Sequence, residues 1–190
     1  GISRVESVVI RKPDGMETIA CDGVLLTGQF TPESSLLLQS HIGISTGSAG
    51  PGIDQDGRMI DPLIFAAGNL LRAVETGGWA FREGRAVGFA IADDLMREPA
   101  TDDIVRVGFD EPVKLVVPAM LRRHARAAPA FGEFQLRFIR RAMGRLSLEI
   151  DGKTVWSKRA AWMPERRILV PIPPSAPHAD RIHFRFEEAG

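Results

Sequence analysis

The stretch Asp61-Pro-Leu-Ile-Phe-Ala-Ala-Gly-Asn69 decides the predicted fold of this 190-residue chain, because a short apolar run in it stops at a glycine. Such a run predicts a buried strand over residues 63–67. An α-helix is predicted just after it, over residues 72–95, from an apolar stripe at helical spacing. A strand followed by a helix favours an α/β fold, in which ligands bind at the carboxyl ends of the strands.

The residues before this stretch predict three smaller elements. Two β-rich runs, residues 5–11 and 16–20, flank Lys12-Pro-Asp-Gly15, where proline and glycine favour a turn, so a hairpin is expected. The apolar run over residues 22–28 predicts a buried strand. A short helix is predicted over residues 31–39, with Pro32 at its first position.

The residues after the helix change to a period of two. Phe134, Leu136 and Phe138 alternate with polar residues, as do residues 146–150 and 182–186, and Asp151-Gly152 predicts a hairpin turn. Residues 104–190 are therefore expected to form an all-β antiparallel sandwich or barrel domain with one wet face. The polar, proline-containing residues 97–103 are the expected boundary, which leaves residues 1–98 as the α/β part.

The composition excludes several classes of protein. The net charge is zero, but residues 1–100 carry −5 and residues 101–190 carry +5. This difference indicates either two domains with unlike surfaces or a basic half that docks an acidic partner or a phosphate-bearing ligand. The basic residues lack interleaved aromatics, so no nucleic-acid partner is expected. No apolar run is long enough for a membrane span, the histidines lack metal-ligand spacing, and the single cysteine, Cys21, fits a reducing cytoplasmic location.

The start of the predicted helix has the chemistry of a ligand site. Gly68 removes a Cβ where the predicted strand ends, so a ligand could approach the backbone, and Asn69 could hydrogen-bond a polyol. Thr76-Gly77-Gly78 would expose N–H groups at a positive helix end, which suits a negatively charged group. Four glycines within the predicted helix indicate close approach of its backbone to something else. The alternative is an ordinary β–α junction without a ligand.

Residues 1–95 resemble the second half of the pyridine-nucleotide-disulfide oxidoreductase-like flavoproteins. The resemblance is carried by three segments: Val24-Leu-Leu-Thr-Gly-Gln-Phe-Thr-Pro32, Ile64-Phe-Ala-Ala-Gly-Asn69 and Glu75-Thr-Gly-Gly-Trp-Ala-Phe-Arg-Glu-Gly-Arg-Ala86. It implies the end of an NAD(P)-binding domain followed by the C-terminal part of a Rossmann-like FAD-binding domain. FAD is the implied cofactor, with NAD(P) as a second one.

The resemblance implies a role for each candidate residue. Asn69 would bind the ribityl chain of FAD, and Gly68 would allow close approach. Thr76 and Gly77 would present backbone N–H groups to the pyrimidine edge of the flavin ring, which gains negative charge on reduction. Trp79 is either a core residue or a cover for the flavin. The candidate cofactor-binding set is Gly68, Asn69, Thr76, Gly77, Gly78 and Trp79; no acid, base or metal ligand is assigned.

The chain departs from the family pattern in three respects. Asn69 stands where the family has aspartate, and no GxGxxG fingerprint is present. Residues 101–190 do not resemble the dimerisation domain of the disulfide reductases. A missing N-terminal half or a partner subunit would therefore carry the GxGxxG units, and the β domain could form a homodimer. The expected function is hydride transfer from a reduced donor, NAD(P)H or an amine or amino acid, through flavin to an acceptor. The alternatives are a non-catalytic scaffold or binding module, and a fragment that is inactive alone.

Overall fold

The computed structural model describes residues 3–25, 30–96, 103–123 and 128–189. The chain divides into two compact units, Gly1–Phe30 and Thr31–Gly190. The described residues are mainly β-structure in three sheets, with one long helix, and they show no alternating strand–helix pattern around a parallel sheet. The predicted α/β fold for residues 1–98 is therefore wrong.

The first unit contains a β-hairpin. Strand β1, Ser7–Lys12, pairs antiparallel with β2, Gly15–Ala20, which confirms the predicted hairpin and its turn. The predicted strand over residues 22–28 is wrong where it can be checked, because residues 22–25 are exposed and extend no sheet. Residues 26–28 of that prediction lie outside the described residues.

The second unit is built on two packed sheets. A five-stranded sheet has the order β5-β3-β10-β7-β8 and a three-stranded sheet has the order β4-β6-β9. Neighbouring strands are antiparallel except β3 and β10, which are parallel. The strands are β3 Ile104–Phe109, β4 Val113–Val117, β5 Met120–Arg122, β6 Glu133–Phe138, β7 Ala142–Ile150, β8 Lys153–Trp162, β9 Ile168–Pro171 and β10 Ile182–Glu188.

The main core lies between these two sheets. Phe134 and Phe184 are fully buried and meet edge to face, with their ring centroids 5.3 Å apart. The predicted hairpin at Asp151-Gly152 is confirmed: both residues have positive φ and join β7 to β8. The alternation in the sequence thus identified the residues that pack between the sheets.

The three-stranded sheet is covered on both faces. Leu115 and Val117 of β4 pack in a second core with residues from the segment before it, among them Ile53 and Leu71. On β6 the polar residues Gln135 and Arg137 are buried rather than wet. The prediction of one wet face is therefore wrong for β6, because residues 42–87 form a layer over it. Of the predicted boundary at residues 97–103, all but Asp103 lies outside the described residues.

The helical segments are shorter than predicted. Helix α1 is only Ser35–Leu38, and helix α2 is Gly77–Asp94, five residues later in its start than predicted. The predicted strand over residues 63–67 is absent apart from a single bridge between Arg58 and Phe65. A turn replaces its start: the carboxylate and carbonyl of Asp61 accept hydrogen bonds from the N–H groups of Leu63 and Ile64. Local side-chain bonding of this kind competes with strand pairing.

Candidate functional site

The structure brings the six predicted residues together at the N-terminus of α2. Residues Gly68–Leu70 form one turn of 3-10 helix beside it. Gly68 has a φ of 69°, and a Cβ added to it would lie 3.3 Å from the Cβ of Ala80. The absence of a side chain at Gly68 therefore serves contact with α2 and a left-handed backbone. This local requirement is enough to explain the glycine.

Asn69 holds the loop that leads into α2. Its Oδ1 accepts a hydrogen bond of 2.7 Å from the backbone N–H of Glu75, while the residue itself is exposed. Its Nδ2 donates to no other side chain or backbone oxygen among the described residues. Asn69 thus keeps two amide hydrogens at the surface beside the helix start.

The first turn of α2 is open to solvent. Thr76 is the N-cap, with extended backbone, and its carbonyl and hydroxyl oxygens accept from the N–H of Trp79. Gly77 and Gly78 are exposed, and a Cβ on either would meet no atom within 4 Å. Their N–H groups precede the first possible helical bond and point along the positive end of the helix dipole. A flat, electron-rich group could therefore rest directly on this backbone.

A buried network of charged side chains lies beneath this helix start. Arg72 is 1% exposed; it donates to Glu75 Oε1 at 2.9 Å and to Gln135 Oε1 at 2.6 Å, and it is paired with Glu83. Glu75 is also bound by two arginines from the β-sheet region, Arg137 at 2.6 Å and Arg167. The network therefore joins the segment before α2 to β6 and to the residue before β9.

Glu83 ties the helix itself to this network. Its Oε1 accepts from the indole Nε1 of Trp79 at 2.7 Å and from Gln135 Nε2 at 2.9 Å. Its Oε2 accepts from the backbone N–H of Gly68 at 3.2 Å. With Arg72, Glu83 has four donors, which is about the number that an ionised carboxylate can accommodate. Its hydrogen-bonding capacity is used within the protein.

The network carries more positive than negative charge. Its three arginines and two glutamates sum to +1, and adding the partly exposed pair Lys114 and Glu165 leaves that sum unchanged. Burial lowers the pKa of Arg72, and the charge and hydrogen bond of Glu83 oppose this. Burial and the nearby charge of Arg72 also lower the pKa of Arg137 and of Arg167. Arginine remains charged despite such shifts, so the helix start sits over a positive field.

Trp79 is held in place by two arginines that lie over its ring and by the hydrogen bond from its indole to Glu83. The guanidinium of Arg167 lies 3.7 Å from the ring centroid, and that of Arg82 lies 4.7 Å from it. Cation–π contacts at such distances are attractive. Trp79 is half-buried, so it packs on the protein with part of its ring exposed. Its predicted role as a cover for the flavin stays a prediction.

The charged network was missed in the sequence. Arg72, Glu75 and Glu83 lie close together in the chain, but their partners Gln135 and Arg137 follow about 60 residues later, in a strand whose second face was predicted to be wet. Arg137 and Arg122, two of the basic residues of the second half of the chain, are both buried. The spacing of Glu75 and Glu83 could have indicated the network, because it places one carboxylate just before the helix and one on it.

Other sequence features have structural explanations. A Cβ on Gly47 would lie 1.9 Å from the carbonyl oxygen of Lys114, and one on Gly50 would lie 2.3 Å from that of Leu70. These glycines therefore allow close packing of the loop over residues 47–52. Within the described residues, no group of three or more His, Cys, Asp or Glu side chains is arranged to hold a metal ion.

Comparisons with protein-family models, with curated proteins and with solved structures found no match for this chain. In the part of the chain that the structure describes, no helix is long and apolar enough to cross a membrane.

Proposed function

We propose that this chain is the C-terminal portion of an FAD-dependent oxidoreductase, in which the N-terminus of α2 contacts the flavin ring. The observation that carries the proposal is the open backbone at Gly77 and Gly78 over a buried network of net positive charge. Such an arrangement favours a flat group that holds or gains negative charge. The pyrimidine edge of a flavin is a group of this kind.

The residues at this site fit the ring and ribityl parts of the cofactor. Gly77 and Gly78 would donate backbone N–H bonds to the ring edge, and the positive field beneath them would favour the reduced, anionic ring. Asn69 would donate its free amide hydrogens to a ribityl hydroxyl, since its oxygen is held by Glu75. The bound flavin would supply the hydride chemistry, with NAD(P)H or an amine or amino acid as the reduced donor.

The described residues do not fit the ADP part of FAD. They include no strand–turn–helix unit with a glycine-rich turn, and Gly47 and Gly50 are occupied in packing. We therefore propose that a preceding N-terminal half or a partner subunit carries the GxGxxG units. A homodimer through the β domain and a cytoplasmic location are further parts of this proposal; the location is supported by the single free cysteine, Cys21.

The direct test is the visible absorbance of the full-length protein purified with any subunit that accompanies it. We expect flavin bands, or their appearance after FAD is added and excess is removed. A colourless protein that takes up no FAD contradicts the proposal and favours the scaffold alternative.

A pair of variants locates the contact. Gly78→Val should weaken FAD binding about tenfold or more, because its side chain would fill the open space at the ring edge. Ala92→Val, at an exposed position near the other end of α2, is the matched control and should bind FAD normally. Equal effects of the two variants would place the flavin elsewhere.

A further inference from the structure

A cleft of about 300 Å³ opens beside Trp79, between α2 and the start of β6. We call it the Trp79 cleft; its lining includes Trp79, Arg82 and Ala86 on one side and Phe131, Glu133 and Gln135 on the other. Its volume is at the lower end of the range for small-molecule sites. Trp79, which lines the cleft, directly follows Gly78 of the proposed flavin contact in the chain.

Two exposed side chains of opposite charge flank the Trp79 cleft. Arg82 belongs to α2, and its guanidinium lies over the face of the Trp79 ring. Glu133 comes from the first position of β6 and forms no ion pair with any described residue. Both charges are therefore available to a ligand from opposite elements of the cleft.

The buried polar groups of the cleft are already hydrogen-bonded within the protein and are not available to a ligand. Glu83 accepts from Arg72, Trp79, Gln135 and the N–H of Gly68. Gln135 in turn donates to Glu83 and accepts from Arg72. Since these groups are satisfied, the charged parts of a ligand would be held by the two exposed side chains.

The remaining lining is apolar. The apolar lining consists of the indole of Trp79 together with Ala86, Ala130 and Phe131. A ligand with an apolar side chain could bury it against these groups, which is favourable by the hydrophobic effect. The lining therefore combines one exposed cation, one exposed anion and an apolar wall, with Glu83 buried and fully hydrogen-bonded beneath them.

We infer that the Trp79 cleft binds an α-amino acid with an apolar side chain, its carboxylate on Arg82 and its ammonium group on Glu133. The binding of an amino acid is inferred from the residues of the cleft alone. The further step, that this amino acid is the reduced donor, rests on the proposed flavin function. The guanidinium of Arg82 suits a carboxylate because it offers parallel N–H donors.

The test is calorimetric binding of L-phenylalanine to this chain without flavin. Two analogues each lack one charged group: 2-phenylethylamine has no carboxylate, and 3-phenylpropionate has no ammonium group. We expect L-phenylalanine to bind about tenfold or more tightly than either analogue, since each charge-assisted contact contributes on this scale. Equal binding of the three compounds would overturn the inference, as would no binding of any.

Variants that remove one charge each test the two contacts separately, that of the carboxylate with Arg82 and that of the ammonium group with Glu133. Arg82→Gln should weaken L-phenylalanine about tenfold and leave 2-phenylethylamine unchanged, while Glu133→Gln should weaken 2-phenylethylamine and leave 3-phenylpropionate unchanged. Arg85→Gln, an exposed position one turn along the same helix, is the control. A loss of equal size in Arg85→Gln would show a general charge effect and contradict the site.

The two proposals fail separately. Binding of L-phenylalanine by a protein that takes up no FAD would contradict the proposed flavin function and leave the amino-acid site intact. Uptake of FAD without selectivity for the zwitterion would support the flavin function and remove the amino-acid site.

Discussion

Replacing Arg72 with methionine should lower the stability of the second unit by about 3 kcal/mol, the low end of the cost of breaking a buried ion pair. Arg72 is 1% exposed and donates to Glu75, Glu83 and Gln135. Glu75 would keep two arginine partners, but Glu83 would keep only neutral donors. The loss of stability therefore comes mainly from the uncompensated charge of Glu83. Because three neutral donors still bind this carboxylate, we expect the loss to be near the lower end of the range for a broken buried ion pair.

Urea unfolding followed by tryptophan fluorescence measures this loss, because all three tryptophans lie in the second unit. For a unit of this size a loss of about 3 kcal/mol corresponds to a fall in Tm of roughly 6–12 °C. Arg72→Met combined with Glu83→Gln should recover part of the loss, since no buried charge then lacks a cation. Arg106→Met, at an exposed position of β3, should change stability by less than about 0.5 kcal/mol. A loss below about 1 kcal/mol for Arg72→Met, or no recovery in the double variant, would refute the reasoning.

Two further predictions concern the β-sheets. Gly144→Ala should destabilise the second unit in urea, because the new Cβ would lie 2.2 Å from the carbonyl oxygen of Glu187, whereas Gly132→Ala, with nothing within 4 Å, should be close to neutral. Burial by itself would raise the pKa of Asp110, but hydrogen bonds from His183 and a backbone N–H, with nearby positive charge, bring it below its usual value. Stability from this group is therefore present above the unfolded aspartate pKa of about 3.9 and is lost as pH falls through the lower folded value. Urea midpoints measured from pH 6 to pH 2.5 should fall less steeply for Asp110→Asn than for the parent chain, and parallel curves would contradict this.

The parts of the fold that could be predicted depend on residues close together in sequence. The turn at Lys12-Pro-Asp-Gly15 and the hairpin at Asp151-Gly152 follow from the φ angles that these residues allow. The alternation around Phe134 identified the residues that pack between the sheets, because side chains on a strand alternate between its faces. The helix after Thr76 was also found, although its start was placed five residues too early.

The wrong predictions depend on contacts between distant segments. Residues 63–67 have the apolar character of a strand, but a strand needs a neighbour, and the hydrogen bonds that Asp61 accepts form a turn instead. Gln135 and Arg137 have the pattern of a wet face, but residues far earlier in the chain cover that face. The α/β fold was inferred from one strand–helix junction and from a family resemblance, and the structure lacks both that strand and a parallel sheet alternating with helices.

The same distant contacts fix the position of the candidate site. The helix start at Gly77 and Gly78 lies between two glutamates, Glu75 before it and Glu83 on its second turn. Glu75 is held by Arg137 of β6, and Glu83 is held by Gln135 of the same strand. Hydrophobic contacts alone would tolerate a sliding or rotation of α2 on the sheet, whereas paired charges with full hydrogen bonding are satisfied in one register. A polar network can specify position in this way at some cost in stability. We therefore interpret the network as the device that holds the exposed glycine backbone of the helix start in place.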